Sequence, residues 1–204
     1  MTRKRTTRTV AFFLLLVTVT GTLFINIPEK ISQKAYRASL VALDAYRSLH
    51  PEKDVRMLAV VDYSKPSYLK RMALIDLKTG NQTFYRIAHG KQSGELYARH
   101  FSDMPESNTS SLGLFKVLGI YDGDHGTALR LEGLEPGRNG NAFRRDIVLH
   151  SADYVSLHYI FLNLVTFEGP RIGRSNGCFV VSQNDIREVT EKLAEGGLIY
   201  AWAE

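Results

Sequence analysis

Cys178 is the side chain best suited to covalent chemistry, because it is the only cysteine among the 204 residues. It ends the glycine-bearing turn Gly173–Cys178, which is flanked by Arg171 and Arg174. Such a turn exposes a side chain and leaves backbone N–H groups free. Acyl transfer needs both, because a thiolate attacks a carbonyl and N–H groups then meet the developing oxyanion. The turn therefore indicates a nucleophile, and an inert, packed cysteine is the alternative.

His150 is the candidate base for this thiol. An ordinary thiol has a pKa of about 8.5, so a nucleophilic cysteine needs a base or a cation nearby to raise its thiolate fraction. His150 follows the apolar run Ile147–Leu149, which predicts a buried strand, and a long polar loop over 133–145 leads into that strand. Long loops in compact domains are often functional. We predict His150 as the general base, and a packed or capping histidine is the alternative.

Other histidines raise the possibility of a metal site. His89, His100 and His125 are accompanied by acidic residues, but no His-Glu-x-x-His spacing occurs. A single cysteine also makes no structural zinc site. We therefore predict neither a metal nor a cofactor, and we interpret His89 and His125 as loop residues that line or brace the site.

The segments that must position these side chains are mostly strands. Apolar runs over 57–61 and 72–77, with a turn at 78–81 before 83–88, predict a hairpin. Runs over 114–121 and 128–131 predict a second one across the turn at 122–124, and a polar loop is expected over 102–111. Leu198–Trp202 predicts a last strand. The expected fold is mainly β.

Three segments favour helices. Apolar residues at intervals of three and four from Ile31 to Ala45 predict a helix that ends before Pro51. Ser182, with Asp185 three residues later, predicts a capped helix that ends at Gly196–Gly197. The apolar run over 159–167 is consistent with a helix or with an insertion near the site.

The N-terminus predicts export. Residues 10–27 are apolar and uncharged, follow a basic start, and would reach about 27 Å as a helix. The missing small-x-small cleavage site favours an uncleaved inner-membrane anchor over a cleaved signal, and the positive-inside rule places everything after Pro28 outside the cytoplasm. Four of the five net positive charges are Arg3, Lys4, Arg5 and Arg8, so the remainder is nearly neutral and no nucleic-acid partner is expected.

Eight segments follow one another along the chain in a characteristic order: Val61–Ser67, Ala88–Gly94, Ala98–Ser102, Ser110–Gly113, Tyr121–Gly126, Leu131–Glu135, Ile147–Ser156 and Gly173–Cys178. Through these segments the chain from about Leu58 to Trp202 resembles the murein L,D-transpeptidase catalytic-domain-like family, a branch of the YkuD-type L,D-transpeptidases. The resemblance implies an antiparallel β-sandwich or barrel with a few helices. It also implies that Cys178 is the nucleophile and His150 the general base.

In the reaction that the resemblance implies, the thiolate attacks the L-centre carbonyl of diaminopimelate in a peptidoglycan stem peptide. D-Ala leaves, and the acyl group passes from the cysteine to an amine of a second stem peptide. The N–H groups of Gly177 and Cys178 are the expected oxyanion donors. Substrate binding is expected from a set of residues around this centre: Arg174, Ser175, Asn176, Arg171, His89, Ser111 and Tyr154.

The predicted division of the chain is a signal or anchor over 1–28, a helical connector over 29–54 and a catalytic domain over 55–204.

Two other functions stay open. The family usually has Pro and a small residue after the cysteine, whereas this chain has Phe179 and Val180, so an altered pocket could favour a carboxypeptidase or amidase-type hydrolase with the same nucleophile. A non-catalytic wall-binding protein is the third possibility. The oligomeric state is not predicted.

Overall fold

A computed structural model describes residues 30–124 and 126–204, together with Phe12. Within this part of the chain there are eight strands: β1 Met57–Asp62, β2 Lys70–Asp76, β3 Gln82–Arg86, β4 Gly113–Gly123, β5 Gly126–Gly133, β6 Val148–Ser151, β7 Phe179–Val181 and β8 Leu198–Trp202. The same residues form three helices: α1 Gln33–Leu49, α2 Leu157–Val165 and α3 Ile186–Leu193. The prediction of a mainly β fold is confirmed.

The strands form one sheet in the order β3-β2-β1-β8-β4-β5-β6-β7. Most neighbours are antiparallel, but β1 pairs with β8, and β6 with β7, in parallel. The purely antiparallel sheet that we predicted is therefore wrong at these two pairs. Parallel neighbours need a long crossover, and the chain between β6 and β7 supplies one that contains α2. A bridge between Ala88, just after β3, and Val180 in β7 links the two edge strands, so the sheet is nearly closed.

Both predicted hairpins are present. β2 and β3 pair across the turn at 77–81, where the Asp76 carboxylate accepts the N–H groups of Lys78 and Thr79 at 2.8 and 3.0 Å. β4 and β5 pair as far as Gly123 and Gly126. Alternate side chains from β1, β2, β4, β5 and β8 fill the interior of the nearly closed sheet.

Helix α1 confirms the helix predicted after Pro28. Ser32 caps it by accepting the Ala35 N–H at 3.2 Å, and the helix ends at Leu49 before Pro51. Its apolar face, with Ala35 and Leu43, packs on the outer side of β1 and β8. The boundary between a connector and a catalytic domain at 54/55 stays a prediction.

Both other segments contain the helices that the sequence favoured, but Ser182 is not the helix cap that we predicted, since the N-cap of α3 is Asp185. Most of the run over 159–167 lies in α2, whose N-cap Ser156 accepts the Tyr159 N–H at 3.2 Å. Ser182 begins the turn that leads into α3 and accepts the Asp185 N–H at 3.2 Å, although the helix itself starts at Ile186.

None of the described helices is long and apolar enough to cross a membrane. The predicted signal or anchor over 1–28 and His125 lie outside the described residues.

Candidate active site

The turn that carries Cys178 is held by Ser175. The Ser175 Oγ donates to the Cys178 carbonyl at 2.8 Å and accepts the Gly177 N–H at 3.0 Å. On the other side, the Ser175 N–H donates to the His89 carbonyl and the Ser175 carbonyl accepts the Lys91 N–H, at 3.0 and 2.7 Å. The turn is therefore fixed from within and from the neighbouring segment 89–91.

Gly177 is the position in this turn that only glycine fits. Its φ is +124°, and a Cβ atom there would lie 2.7 Å from the Thr109 carbonyl oxygen. Both the positive φ and the contact with Thr109 are properties of the backbone, so no movement of a neighbouring side chain could make room for the Cβ atom. Because its N–H donates to Ser175, the oxyanion contact that we predicted for Gly177 would require this hydrogen bond to open.

We expect Gly177→Ala to lower the free energy of unfolding by about 3 kcal/mol, the sum of a left-handed backbone penalty and an overpacking penalty. Gly137→Ala is the matched control, since Gly137 also has a positive φ, +77°, but its added Cβ would have no atom within 4 Å. That variant should lose only about 1 kcal/mol. Urea unfolding of both variants measures the difference, and equal losses would mean that the Thr109 contact is unimportant.

The strand register brings Cys178 and His150 to one face of the sheet. His150 pairs with Val180 in the parallel ladder, and Cys178 lies two residues before Val180. Cys178 directly precedes β7 and packs with Val180 in one cluster, whereas Phe179 points into another, and Cys178 and His150 both line one cleft. From strand spacing and rise, the Cα atoms of His150 and Cys178 should be about 8 Å apart, within reach for an imidazole and a thiol that lean toward each other.

The hydrogen bond made by His150 sets its tautomer. Nδ1 lies 3.0 Å from the Ser151 carbonyl oxygen, which can only accept. We infer that Nδ1 carries the proton and that Nε2 keeps the lone pair. A neutral imidazole in this form can take a proton from a neighbouring thiol.

The Cys178 thiol is neutral in the resting site. Burial raises its pKa, against weaker lowering effects from a backbone hydrogen bond with Val148 and from the positive charge of Arg145. The sulfur also donates to the Asp146 carbonyl at 3.5 Å. Desolvation penalises the anion more than the nearby cation stabilises it, so the thiol depends on a base for its ionisation.

Arg145 is the cation near the sulfur that sequence reasoning missed. Its guanidinium is buried and donates to the carbonyls of Ser102 and Thr109, both at 2.8 Å, and to Ser111 Oγ at 2.6 Å. These bonds hold the loop over 102–111 against Gly177, whose Cβ position lies 3.1 Å from Arg145 Nη2. The available signal was the place of Arg145 at the end of the polar loop, two residues before the apolar run that begins at Ile147.

An open cleft of about 790 Å³ is lined by Cys178 and His150. Six of the predicted site residues line it: Cys178, His150, Arg174, Ser175, Asn176 and Tyr154. Burial raises the pKa of Tyr154 to about 12, so its hydroxyl stays protonated and can donate a hydrogen bond. Further lining residues that we did not predict include Tyr121, Asp146 and Gln183.

A sequence profile described as the L,D-transpeptidase catalytic domain matches residues 28–202, which is most of the chain. The chain belongs to this family. The fold search finds an L,D-transpeptidase from Mycobacterium smegmatis, at 14% identity with a TM-score of 0.41, covering 72% of this chain and 59% of the other. It also finds an L,D-transpeptidase from Xylanimonas cellulosilytica, at 13% identity with a TM-score of 0.41, covering 74% and 63%.

The chain thus spans less than two thirds of the length of either solved L,D-transpeptidase. No curated protein gives a significant sequence match.

Four predicted site residues of this L,D-transpeptidase domain do not line the cleft. Gly177 is buried behind Cys178, and Ser111 accepts from Arg145 in the interior. Arg171 pairs with the carboxylates of Glu168 and Glu95 at 2.8 and 3.3 Å, which engages its guanidinium. These residues stay predictions as site residues, and any action on substrate would pass through the residues that they hold.

His89 is the fourth predicted site residue that does not line the cleft, and it is completely buried. Its Nδ1 accepts from Arg71 Nη2 at 2.7 Å and its Nε2–H donates to the Gly94 carbonyl at 3.1 Å. Burial, together with the charge of Arg71, lowers the pKa of His89 to about 3, so the ring is neutral at physiological pH. It braces the 89–94 segment against which Ser175 pairs.

The lowered pKa of His89 predicts an acid-sensitive fold. In the unfolded chain the imidazole binds a proton below pH 6.5, whereas in the folded chain it stays neutral down to about pH 3. Between pH 7 and pH 5 the free energy of unfolding should therefore fall by about 2 kcal/mol more in the native chain than in His89→Gln. Urea unfolding at the two pH values tests this, and identical pH dependence in both chains would contradict it.

Phe179 and Val180, which suggested an altered pocket, lie away from the cleft. Phe179 points into the interior, where its ring meets Phe115 edge-on at a centroid distance of 5.1 Å. Val180 is buried against Ala88, Val155 and Ile160. The departure from the family after the cysteine is therefore a difference in packing.

Among the described residues no group of His, Cys, Asp and Glu side chains could hold a metal ion.

Proposed function

We propose that this chain is a peptidoglycan L,D-transpeptidase that uses Cys178 as its nucleophile and a thioester intermediate. The observation that carries the proposal is the register between β6 and β7, which supports an encounter of the Cys178 thiol with His150 at the wall of one cleft. Membership in the family supports the substrate class, which is the stem peptide of peptidoglycan.

Acylation begins with proton transfer, because the resting thiol is neutral. His150 Nε2 takes the thiol proton as the sulfur attacks the L-centre carbonyl of the donor stem peptide. The resulting oxyanion is met by the N–H of Cys178, while the Gly177 N–H would first have to leave Ser175. The C–N bond to D-Ala then breaks, and the imidazolium returns its proton to the leaving amine.

Transfer to the acceptor reverses these roles. An amine of a second stem peptide attacks the thioester carbonyl and gives its proton to His150 Nε2. When the C–S bond breaks, the sulfur leaves as a thiolate and regains this proton from the imidazolium. Each cycle thus forms one amide, releases one D-Ala and restores a neutral thiol.

Substrate contacts come from the exposed rim of the cleft. Asn176 is exposed beside the sulfur and offers an amide to the peptide backbone. Arg174 also lines the cleft, but its guanidinium donates to Glu95 and to the carbonyls of Lys91 and Gly94. Arg174 therefore shapes the wall, and its free face is available to a stem-peptide carboxylate.

Export through residues 10–27 would place this domain outside the cytoplasm, where its substrate lies. Both an anchored and a secreted form would bring the domain to this substrate.

Intact-mass measurement during turnover tests the proposal. On addition of a disaccharide tetrapeptide, the chain should gain the mass of the donor minus D-Ala, and liquid chromatography should show linked dimers. Tripeptide with no dimer would replace the transferase by a hydrolase with the same nucleophile. Absence of both the adduct and any product would leave a wall-binding protein as the better description.

A further inference from the structure

Helix α2 turns its apolar side chains outward. Ile160 and Asn163 face the protein, and the Asn163 amide donates to the Arg171 carbonyl at 2.8 Å. The rest of the helix surface exposes a set of large apolar residues, which we call the apolar face: Leu157, Phe161, Leu162, Leu164 and Val165, followed by Phe167. A surface helix normally shows the reverse pattern, with apolar residues inside and polar ones outside.

The turn after the helix completes this face. Phe167 is 97% exposed and has a positive φ of 63°, a conformation that is rare for a bulky residue. No Asp, Glu, Lys or Arg occurs over 154–167. An exposed apolar surface of this kind, without charges, marks an interaction site.

The N-terminal sequence indicates what covers the apolar face. The apolar segment predicted to enter the membrane ends at residue 27, and α1 begins at Gln33 with the Ser32 N–H bound to the Asp62 carboxylate at 2.7 Å. The five residues between them reach at most about 17 Å. If the segment lies in a bilayer, this part of the domain stays close to its surface.

The start of the described domain and α2 are near each other. The Lys65 ammonium donates to the Lys30 carbonyl, and Tyr68, three residues later, packs against the cluster that includes Ile160 of α2. The segment 65–68 therefore contacts Lys30, where the described domain begins, and also the cluster that the buried side of α2 joins. This places α2 near the start of the described domain, from which the predicted anchor would extend.

We propose that the apolar face of α2, with Phe167, inserts into the surface of the lipid bilayer. A nine-residue helix is too short to span a membrane, but one lying parallel to the surface buries its apolar side about 5–10 Å deep. The cleft residues 151–154 directly precede this helix, so insertion would hold the cleft beside the bilayer. This role is separate from catalysis and does not depend on Cys178.

Fluorescence quenching by lipid bromine tests the insertion. The full chain, with Trp202→Phe to remove its only tryptophan, is reconstituted into phosphatidylethanolamine and phosphatidylglycerol vesicles whose acyl chains carry bromine. A tryptophan introduced by Phe167→Trp should fluoresce roughly twofold or more weakly in brominated than in unbrominated vesicles, because the residue lies within the acyl boundary. Phe143→Trp is the control, since Phe143 is also exposed but lies outside α2.

Three results would overturn the proposal. The first is no quenching at position 167, and the second is equal quenching at positions 167 and 143. The third is a blue shift of the emission at position 167 without bromine quenching, which would mean that a protein surface covers the apolar face. A Cys178→Ala chain carrying the same tryptophan should be quenched equally. Absence of quenching therefore rejects the membrane contact, whereas a chain that keeps Cys178 and is quenched but forms no dimer would reject the proposed catalysis.

Discussion

Cys178→Ser should reduce the rate of dimer formation from tetrapeptide on the order of 10⁴-fold or more. The hydroxyl keeps the shape of the thiol but remains protonated far above neutral pH and is a weaker nucleophile. Since Cys178 is the only cysteine in the chain, no second thiol can replace it. Initial rates of dimer release, followed by chromatography and mass spectrometry, measure the loss.

The fold of the Cys178→Ser chain provides the control. The Cys178 carbonyl and its hydrogen bond to Ser175 Oγ belong to the backbone turn and do not depend on the sulfur. The thermal midpoint should therefore stay within a few degrees of the native value, as expected for a substitution below about 1 kcal/mol. A serine variant that keeps a tenth of the native rate would show that Cys178 is not the nucleophile.

His150→Asn should lower kcat/KM about 10²-fold to 10⁴-fold. The asparagine amide can occupy the place of the Nδ1–H and donate to the Ser151 carbonyl, so the strand end keeps its hydrogen bond. What disappears is the lone pair of Nε2. The native thiol needs this base because burial raises the pKa of Cys178.

The pH profile separates a lost base from a lost structure. In His150→Asn the thiol can react only after ionising by itself, and its pKa is raised, so the residual rate should climb steadily into the alkaline range. The native chain should gain much less over the same range, since its thiol gives its proton to His150 and does not need to ionise by itself. A residual rate that does not respond to pH would assign His150 a purely structural role.

The local elements of this protein could be predicted because local chemistry specifies them. Turn residues at 78–81 and 122–124 predicted both hairpins, and three-and-four spacing from Ile31 predicted α1. The parallel pairs β1/β8 and β6/β7 could not be predicted in this way. Their partners are separated by long crossovers, and strand periodicity shows which face is buried but not which strand lies alongside.

The candidate site likewise contains residues that the sequence identifies and residues that only the structure identifies. Cys178, His150 and the turn around Gly177 stand out in the sequence by residue type and spacing. Arg145, however, is one of 26 basic residues, and only its burial among the carbonyls of the 102–111 loop distinguishes it from a solvated side chain. His89 was likewise identified as a residue that lines or braces the site, and its hydrogen bonds with Arg71 and Gly94 became known only from the structure.

The sequence by itself determined the mainly β character and singled out Cys178 and His150 as the proposed nucleophile and base, because these follow from short-range periodicity and side-chain chemistry. The tertiary structure decided the state of the thiol, the placing of Phe179 in the interior and the outward turn of α2. Each of these depends on which surfaces are removed from water when distant segments pack together, and desolvation is a property of the folded arrangement that no local pattern contains.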